Sequence, residues 1–172
     1  MKWAVAGFAA AHVLESVWHR WVAHGKRPDP TRTQHHEHHR LAAEPVDVWG
    51  ELRDNAPRFA KTLVAIDLVL LPLLGVRKTL GLNLGLTLGL IAVNFEHARF
   101  HRRAPRGPIE AWMWRFHWHH HAADARVNFG LTNPLLDVLL GTAIVPDEVV
   151  LHPKLVPAWL RDAGGAIAGI RS

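Results

Sequence analysis

Three stretches of low polarity constrain the fold of this chain more than any other feature. They are WAVAGFAAAHVLESVW (3–18), TLVAIDLVLLPLLGV (62–76) and TLGLNLGLTLGLIAV (79–93). Each falls short of the roughly 20 residues that a straight helix needs to cross a bilayer, so core helices of a soluble protein are one interpretation. Only Arg77 and Lys78 separate the second run from the third, and this spacing predicts a helical hairpin.

Glycines in the third run favour a membrane over a soluble core. Gly81, Gly85 and Gly89 form a row of small residues that lets helices approach closely in lipid. A soluble helix would lose about 1 kcal/mol of stability at each of them relative to alanine. Asp67 lies inside the second run, and we expect its carboxyl to face protein because lipid solvates a charge poorly.

The positions of the basic residues predict how the runs are oriented. If all three runs enter the bilayer, Lys2, Arg77 and Lys78 lie on one side and the remaining 17 of the 20 Lys and Arg lie on the other. The positive-inside rule then places segments 19–61 and 97–172 in the cytoplasm. We interpret the first run as a retained helix, not a cleaved signal sequence, because histidines begin within it.

Histidines are the second constraint, and most of them recur in one pattern. The chain has 14 His and no Cys. An apolar run ends in a spaced histidine pair, a group with the spacing H-x-x-H-H follows, and the same order occurs again in the second half. The four groups are His19 and His24; His35, His38 and His39 in HHEHH; His97 and His101; and His117, His120 and His121 in HWHHH. On the membrane topology above, all four reach the same cytoplasmic face.

The spacings within the groups suit helices. Residues three and four apart share a helix face, so each H-x-x-H-H group, and the pair His97 and His101, can present its imidazoles together. His19 and His24 are five residues apart, about 140° around an ideal helix. Either the helix ends between them or the two residues bind different metals.

Clustered imidazoles point to metal. Neutral imidazoles gain little from one another and charged ones repel, whereas imidazole binds Zn, Fe, Cu and Ni well. One metal takes four to six ligands, so ten histidines predict two metals in one cavity. The other four have ordinary roles: we expect His12 to pack with a hydrogen bond, His36 and His119 to point away from the metals, and His152 to lie on the surface.

Three alternatives to a catalytic metal centre remain at this point. A single H-x-x-H-H group could be a solvated polar face, although two copies make this a poor explanation. A membrane metal store or a zinc-stabilised scaffold would also use many histidines without being an enzyme. The net charge of +5 raises a nucleic-acid partner, but the basic residues do not form one stripe, and we expect no nucleic acid.

The combined motifs HRWVAH, HHEHH, HARFH and HWHHH, followed by NFGLTNPLLDVLLGT (128–142), resemble the fatty acid hydroxylase/sterol desaturase superfamily. The resemblance covers about residues 15–142. It implies an integral membrane enzyme with a dinuclear iron centre, which can be found as zinc, that uses O2 and electrons to hydroxylate or desaturate a fatty acyl or sterol-like chain. The family's ligands carry over to the ten grouped histidines.

Two features depart from that resemblance. Four spanning helices are usual in much of the family, and this chain has three at most. The related carotene hydroxylases share a start like HRWVAHG and an acidic stretch after the first box, here ELRDN (51–55). A carotenoid ring is therefore the alternative substrate.

Several polar and aromatic residues could support the metal centre. We expect Glu15 and Glu37 to orient ligand imidazoles by hydrogen bonds, as carboxylates often do. Asp124 and Asn128 are candidates for the same role, and Asp137 is expected to tie the tail to the cytoplasmic part. Four aromatic residues near the last box could line a substrate channel, anchor at the interface or simply pack: Trp112, Trp114, Phe116 and Trp118.

A separate electron donor is implied, because the chain has no thiolate cluster site and no nucleotide-binding glycine motif. A ferredoxin, a rubredoxin or a cytochrome b5-like protein is the expected class. The basic side chains that could receive an acidic donor, or equally lipid head groups, are Arg99, Arg102, Arg103 and Arg106.

These observations predict one fold. We expect an all-α integral membrane helical bundle, a single domain over residues 1–172, with a cytoplasmic helical cap that holds a histidine-rich dinuclear metal site. The final AGGAIAGIRS (163–172) is expected to be a flexible or weakly packed tail.

Overall fold

A computed structural model describes residues 1–26 and 30–172, and it is mostly helical. Seven α-helices follow in chain order: α1 Lys2–Trp18, α2 Pro30–Arg40, α3 Val48–Leu74, α4 Val76–Arg102, α5 Pro108–Ala122, α6 Leu135–Leu139 and α7 Ala158–Asp162. A π-helical turn, His19–Ala23, continues α1, and a 3-10 turn spans Pro153–Leu155.

The predicted hairpin is confirmed, with longer helices than the apolar runs suggested. Gly75 joins α3 to α4 and takes a positive φ of 76°, a conformation that glycine adopts without steric penalty. The predicted turn at Arg77 and Lys78 was misplaced, because both lie in the first turn of α4. Within the hairpin, Asn83 Nδ2 donates to both carboxylate oxygens of Asp67 at 3.0 and 2.9 Å, so this carboxyl faces protein as expected.

The glycine row of α4 packs directly against α1. An added Cβ at Gly85 would lie 2.0 Å from the Ala4 carbonyl oxygen, and one at Gly89 would lie 2.5 Å from Ala11 Cβ. Gly7 of α1 contributes from the other side, where a Cβ would lie 2.2 Å from the Leu82 carbonyl oxygen. The predicted close approach of helices through small residues is confirmed.

The apolar helices keep much of their apolar surface outside the protein. Val64, Leu68 and Leu73 of α3 and Leu80 and Leu84 of α4 are exposed. A soluble core would bury such residues, and monomeric soluble proteins rarely expose a patch of this kind. Of the described helices, α4 alone is long and apolar enough to cross a membrane; α1 has only 17 residues.

The all-α prediction misses a small sheet near the C-terminus. Three two-residue strands, β1 Val149–Val150, β2 Ala166–Ile167 and β3 Ile170–Arg171, form a sheet in the order β1-β3-β2. β1 pairs parallel with β3, with Val149 opposite Ile170, and β2 pairs antiparallel with β3. The predicted flexible tail is therefore wrong, because the final residues form these strands and Ile170 is buried.

The main buried core lies beneath α5. Trp114 and Trp118 of α5 pack with Phe100 of α4 and with residues of the C-terminal segment, including Trp159 and Leu160. The indole N–H groups of Trp118 and Trp159 both donate to the Phe100 carbonyl, at 3.3 and 3.2 Å. This core fixes the end of α4 against α5, which places two histidine groups side by side.

Candidate metal centre

The structure brings all ten grouped histidines into one cluster. Nine of them form two sets. Within each set, the candidate ligand nitrogens all lie within 4.8 Å of one another, so each set could hold a metal ion. Set one comprises His19, His24, His35, His39 and His120, and set two comprises His38, His97, His101 and His121. His117 adjoins set two, with its Nε2 2.9 Å from Nε2 of His101.

The two sets share a wall. The His39 ring, in set one, stacks on the His121 ring, in set two, with ring centroids 4.2 Å apart. Each helix that carries an H-x-x-H-H group contributes histidines to both sets. It can do so because neighbouring residues point about 100° apart around a helix. His38 and His39 diverge in this way on α2, and His120 and His121 do so on α5.

The π-helical turn explains the spacing of the first pair. The His24 backbone N–H donates to the His19 carbonyl at 3.0 Å, a bond across five residues that widens the turn. This widening brings His19 and His24 onto one side, with ring centroids 5.0 Å apart. The helix ends at Ala23, between the two histidines, so the first predicted alternative is confirmed. The second is wrong, because both imidazoles lie in set one.

The geometry of set one suits a metal better than a hydrogen-bond network. Nε2 of His35 lies 3.0 Å from Nε2 of His19, 2.8 Å from that of His24 and 3.0 Å from that of His39. Nε2 of His120 lies 3.0 and 3.2 Å from those of His24 and His39. Ligands about 2.1 Å from one ion at right angles would be about 3.0 Å apart, which is this spacing.

Set two contains buried nitrogen atoms that have no hydrogen-bond partner within residues 1–26 and 30–172. They are Nε2 of His38, Nε2 of His97 and Nδ1 of His121. A buried polar atom without a partner destabilises a protein by about 1–3 kcal/mol, so an arrangement that keeps three of them needs a stabilising ligand. A metal ion that accepts the nitrogen lone pairs would supply it, and the residues present therefore fit a metal.

Backbone carbonyls orient the imidazoles, a feature that the sequence reasoning missed. Nδ1 of His19 donates to the Phe129 carbonyl, Nδ1 of His120 to the Val127 carbonyl at 2.6 Å, and Nδ1 of His101 to the Ala42 carbonyl at 2.8 Å. A carbonyl only accepts, so each Nδ1 carries the proton. The Nε2 lone pair is then free to bind a metal.

The predicted carboxylate partners mostly lie elsewhere. Glu37 pairs with Arg40 on the exposed side of α2, and Asp124 pairs with Arg126. Both therefore bind arginines instead of grouped imidazoles, because each has an arginine two or three residues away. Glu15 lies 3.9 Å from Nδ1 of His19, but its oxygens accept the Leu131 N–H at 3.1 and 3.2 Å.

Asn128 supports the centre in a different way from the one predicted. It is buried, adopts a positive φ of 58°, and lies between the Val127 and Phe129 carbonyls. Its Nδ2 donates to the Phe116 and Ile144 carbonyls at 2.9 and 2.6 Å, and its Oδ1 accepts the Ile144 N–H at 2.7 Å. Asn128 thus braces the backbone that orients two imidazoles, and its side chain bonds to backbone groups.

Burial keeps the imidazoles neutral. Desolvation, followed by the neighbouring histidines, lowers the pKa of His39 to about 2 and that of His24 to about 3. Desolvation also lowers the pKa of His120 to about 4, although the bond to the Val127 carbonyl opposes it. At neutral pH these side chains are uncharged and can bind metal without releasing a ring proton.

The remaining histidines take the ordinary positions predicted for them. Nδ1 of His12 bonds to Thr132 Oγ1 at 2.7 Å. His36 and His152 are exposed, and His119 is partly exposed. Of the aromatic residues near the last box, Trp114, Phe116 and Trp118 are buried in the core. Packing therefore accounts for these three.

Two of the four arginines proposed to receive a donor form ion pairs within the protein. Arg99 pairs with Glu96 and Glu110, and Arg103 pairs with Glu110. Arg102 donates to the Val46 carbonyl. Arg99 and Arg103 are therefore paired with carboxylates, whereas Arg102 and Arg106 stay exposed without a paired carboxylate among the described residues.

A surface pocket of about 200 Å³ reaches the cluster at His38. Its other lining residues include Glu37, Glu44, Asp47 and Glu51. Apolar Leu41, Pro45 and Val46 line the same opening, so it is mixed in character.

The cluster could hold metal ions through histidines alone, and it lies at the end of the apolar helices. A family model for fatty acid hydroxylases matches residues 4–142, and the chain belongs to this family. The match begins earlier than the motif core of about 15–142 and ends at the same residue. No curated protein and no solved structure matches. Membership supports an oxidoreductase activity of the lipid hydroxylase/desaturase kind in a membrane-associated family.

Proposed function

We propose that this protein is an O2-dependent di-iron hydroxylase, or desaturase, that oxidises a C–H bond of a membrane lipid such as a fatty acyl or sterol-like chain. The observation that carries the proposal is the division of nine neutral imidazoles into two adjacent sets, with His117 beside set two. The nitrogen spacings in set one suit a single ion. Imidazole alone does not distinguish iron from zinc. The redox demand of the reaction favours iron, because zinc has no redox chemistry.

The reaction has a defined balance. Hydroxylation converts a C–H bond and O2, with two electrons and two protons, into an alcohol and water. Two bound iron ions would supply the activation of O2 that amino-acid side chains cannot provide. Desaturation uses the same oxidant and electrons but removes two hydrogens from the substrate and releases two waters.

The protein's own residues would hold the ions and exclude water. The carbonyls of Val127, Phe129 and Ala42 fix three imidazoles with Nε2 toward the centre. Phe100 stacks on His117 with ring centroids 4.5 Å apart, and Trp118 lies against His101 at 5.1 Å. This aromatic wall keeps set two away from solvent on the side of the core.

Membrane integration with the histidine sets on the cytoplasmic face is part of the proposal. The exposed apolar surfaces of α3 and α4 and the length of α4 support it. The ends of α1 and α4 that carry His19 and His97 lie at one end of the bundle, and the basic residues are concentrated in the segments that follow. Protease protection in inverted and right-side-out vesicles tests the orientation: cleavage after 142 only in inverted vesicles is expected.

We also propose a separate protein electron donor of the ferredoxin, rubredoxin or cytochrome b5-like class. The chain contains no cysteine, so it cannot bind a thiolate iron–sulfur cluster of its own. Reconstitution with each donor class tests this proposal. Turnover with a chemical reductant, but with none of the three donor classes, would contradict it.

The decisive experiment measures metal and product together. The protein is purified in detergent, its metal is quantified, and iron, a chemical reductant, O2 and a lipid extract are added before mass spectrometry. Two metals per chain and a lipid that gains one oxygen are expected, whereas loss of two hydrogens would identify a desaturase. Two metals without O2 consumption under any reductant would contradict an enzyme and favour a metal store or scaffold.

Single variants test the division into sets. His24→Ala in set one and His101→Ala in set two should each reduce the metal content from two ions to about one and abolish turnover. His36→Ala is the matched control, because His36 is exposed on the same helix as His35 and His39. Loss of both ions from either single variant would show that the two sets are one inseparable site.

A further inference from the structure

The segment 129–142 follows the first helix back toward its start. Phe129 accepts from His19, the Leu131 N–H donates to Glu15, and the Asn133 side chain donates to the His12 carbonyl at 2.7 Å. From Phe129 to Asn133 the segment advances by four residues, while its contact on the first helix moves back by seven, from His19 to His12. At 1.5 Å per helical residue, the segment descends about 10 Å from the metal centre along α1.

The segment then returns to its starting level. The Asn128 N–H donates to the Thr142 carbonyl at 3.0 Å, and Arg20 donates to the Thr142 hydroxyl at 2.8 Å. Buried Asp137 accepts the Gly130 N–H and the Thr142 hydroxyl, each at 2.8 Å. Residues 129–142 therefore form a closed loop that leaves the histidine cluster, descends beside α1 and comes back.

Side chains satisfy the irregular backbone of this loop. Glu15 and Asp137 accept its N–H groups, and Asn133 Oδ1 accepts the Leu135 N–H at 3.1 Å. At Gly130 an added Cβ would lie 1.9 Å from the Asn133 carbonyl oxygen, so the descending turn requires glycine. Non-helical backbone at membrane depth is tolerated only where protein groups satisfy it in this way.

The tip of the loop is apolar and exposed. α6 presents Leu135, Val138 and Leu139 outward, and Leu140 just after it is also exposed. The one charged residue of α6, Asp137, is buried. Val13 and Leu14 of α1, near His12, are also exposed. The tip thus continues the apolar surface of the first helix at the same distance from the metal centre.

We propose that residues 129–142 form a re-entrant loop whose helix α6 inserts among the lipid chains of the bilayer beside α1. The inference rests on the membrane location proposed above. Three observations favour lipid chains as the surroundings of α6. Its exposed surface continues that of α1, protein groups satisfy the backbone of the loop, and the loop descends along α1 away from the metal centre. The loop begins at Phe129, whose carbonyl orients His19, so set one lies at the base of the loop and the inserted tip lies below it.

The absence of cysteine from the sequence makes a direct depth measurement straightforward. Single variants Leu139→Cys on α6, Leu84→Cys on α4 and Val150→Cys on β1 replace side chains that are 73%, 56% and 52% exposed. Each is labelled with an environment-sensitive fluorophore and reconstituted into phosphatidylcholine–phosphatidylglycerol vesicles. Quenching by nitroxide-bearing lipids is compared with quenching by aqueous iodide, and metal content confirms that each variant is folded.

The three sites give distinguishable outcomes. The proposal expects the labels at 139 and 84 to be quenched by nitroxide lipid and protected from iodide, while the label at 150 is quenched by iodide. Iodide quenching at 139 with lipid quenching at 84 would overturn the re-entrant loop and leave the membrane location intact. Iodide quenching at both sites would overturn both proposals. Val138→Cys, read in parallel, replaces Leu139→Cys if that variant binds no metal.

Discussion

Asn128 gives the sharpest prediction about how the fold supports the metal centre. Asn128→Ala removes a buried hydrogen bond to the Phe116 carbonyl and two part-buried ones to the Ile144 backbone, each worth about 0.5–1.5 kcal/mol. Alanine at a positive φ adds about 1–2 kcal/mol. We expect a loss of about 2.5–6.5 kcal/mol, a large share of the roughly 5–15 kcal/mol that stabilises a typical protein.

Two further variants separate the contributions. Asn128→Gly removes the same hydrogen bonds but adopts the positive φ easily, so it should be about 1 kcal/mol more stable than Asn128→Ala. Asn94→Ala is the matched control, because Asn94 is half-buried and its side chain donates only within α4, to the Leu90 carbonyl. It should change stability by about 1 kcal/mol or less. Thermal unfolding in detergent measures all three.

The same variant should affect the two histidine sets unequally. The carbonyls on either side of Asn128 orient His120 and His19, both in set one, whereas His101 of set two bonds to Ala42. Loss of such support weakens metal affinity by about 10–100-fold. Metal content should fall from two ions toward one in Asn128→Ala, and toward none when His101→Ala is added.

Two results would refute this reasoning. Unfolding of Asn128→Ala at the temperature of the Asn94→Ala control would show that the buried hydrogen bonds contribute little. Equal retention of metal by Asn128→Ala in the His24→Ala and His101→Ala backgrounds would show that Asn128 does not act on set one in particular.

Three further predictions follow from other parts of the structure. Gly85→Ala should destabilise the protein by about 1–3 kcal/mol, because the new Cβ would meet backbone. Gly81→Ala should be neutral or stabilising, because its Cβ would meet only a side-chain carbon at 3.1 Å. Equal unfolding temperatures for the two variants would contradict the packing. Arginine hydrogen bonds lower the pKa of Glu110 from 4.5 to about 2, so the ionised carboxylate stabilises the protein fully above pH 4.5 and this contribution is lost as the pH falls toward 2. Glu110→Gln should therefore lower the free energy of unfolding fully at pH 7 and not at all near pH 2. A loss that is the same at both pH values would oppose this. Removal of metal by a chelator should lower the unfolding temperature, because each ion at 100 times its Kd adds about 2.7 kcal/mol, and the double variant of His24→Ala with His101→Ala should not respond.

The sequence was sufficient to predict the helices and the convergence of the histidines. Apolar runs predicted the hairpin, and glycine spacing predicted that another helix approaches α4 closely, but the sequence did not identify that helix as α1. Helical periodicity also explains why His38 and His39 lie in different sets, because neighbouring residues point about 100° apart. The prediction that the whole group shares one helix face left this angle out. A pair spaced by five, His19 and His24, was the one visible trace of the π-helical turn.

The missing parts depend on contacts that no side-chain pattern records. Carbonyl oxygens orient the imidazoles, and every residue has one, so the sequence does not mark Val127 or Phe129. Glu37 was expected near the centre because carboxylates often orient imidazoles, yet Arg40, one turn away, binds it. The pairing of β1 with β3 was not predicted. The two strands are separated by about twenty residues, and the glycine-rich sequence around β3 does not resemble a strand.

The strands and α7 have a consequence for where this protein can be cut. The family match stops at residue 142, but Val149, Leu151, Trp159 and Ile170 lie in the same buried core as Trp118. A chain shortened to the matched region would keep all ten grouped histidines but would lose the C-terminal residues that pack against Trp118. The shortest piece that folds is thus longer than the shortest piece that carries the motifs, and domain transplants or expression trials should retain residues 143–172.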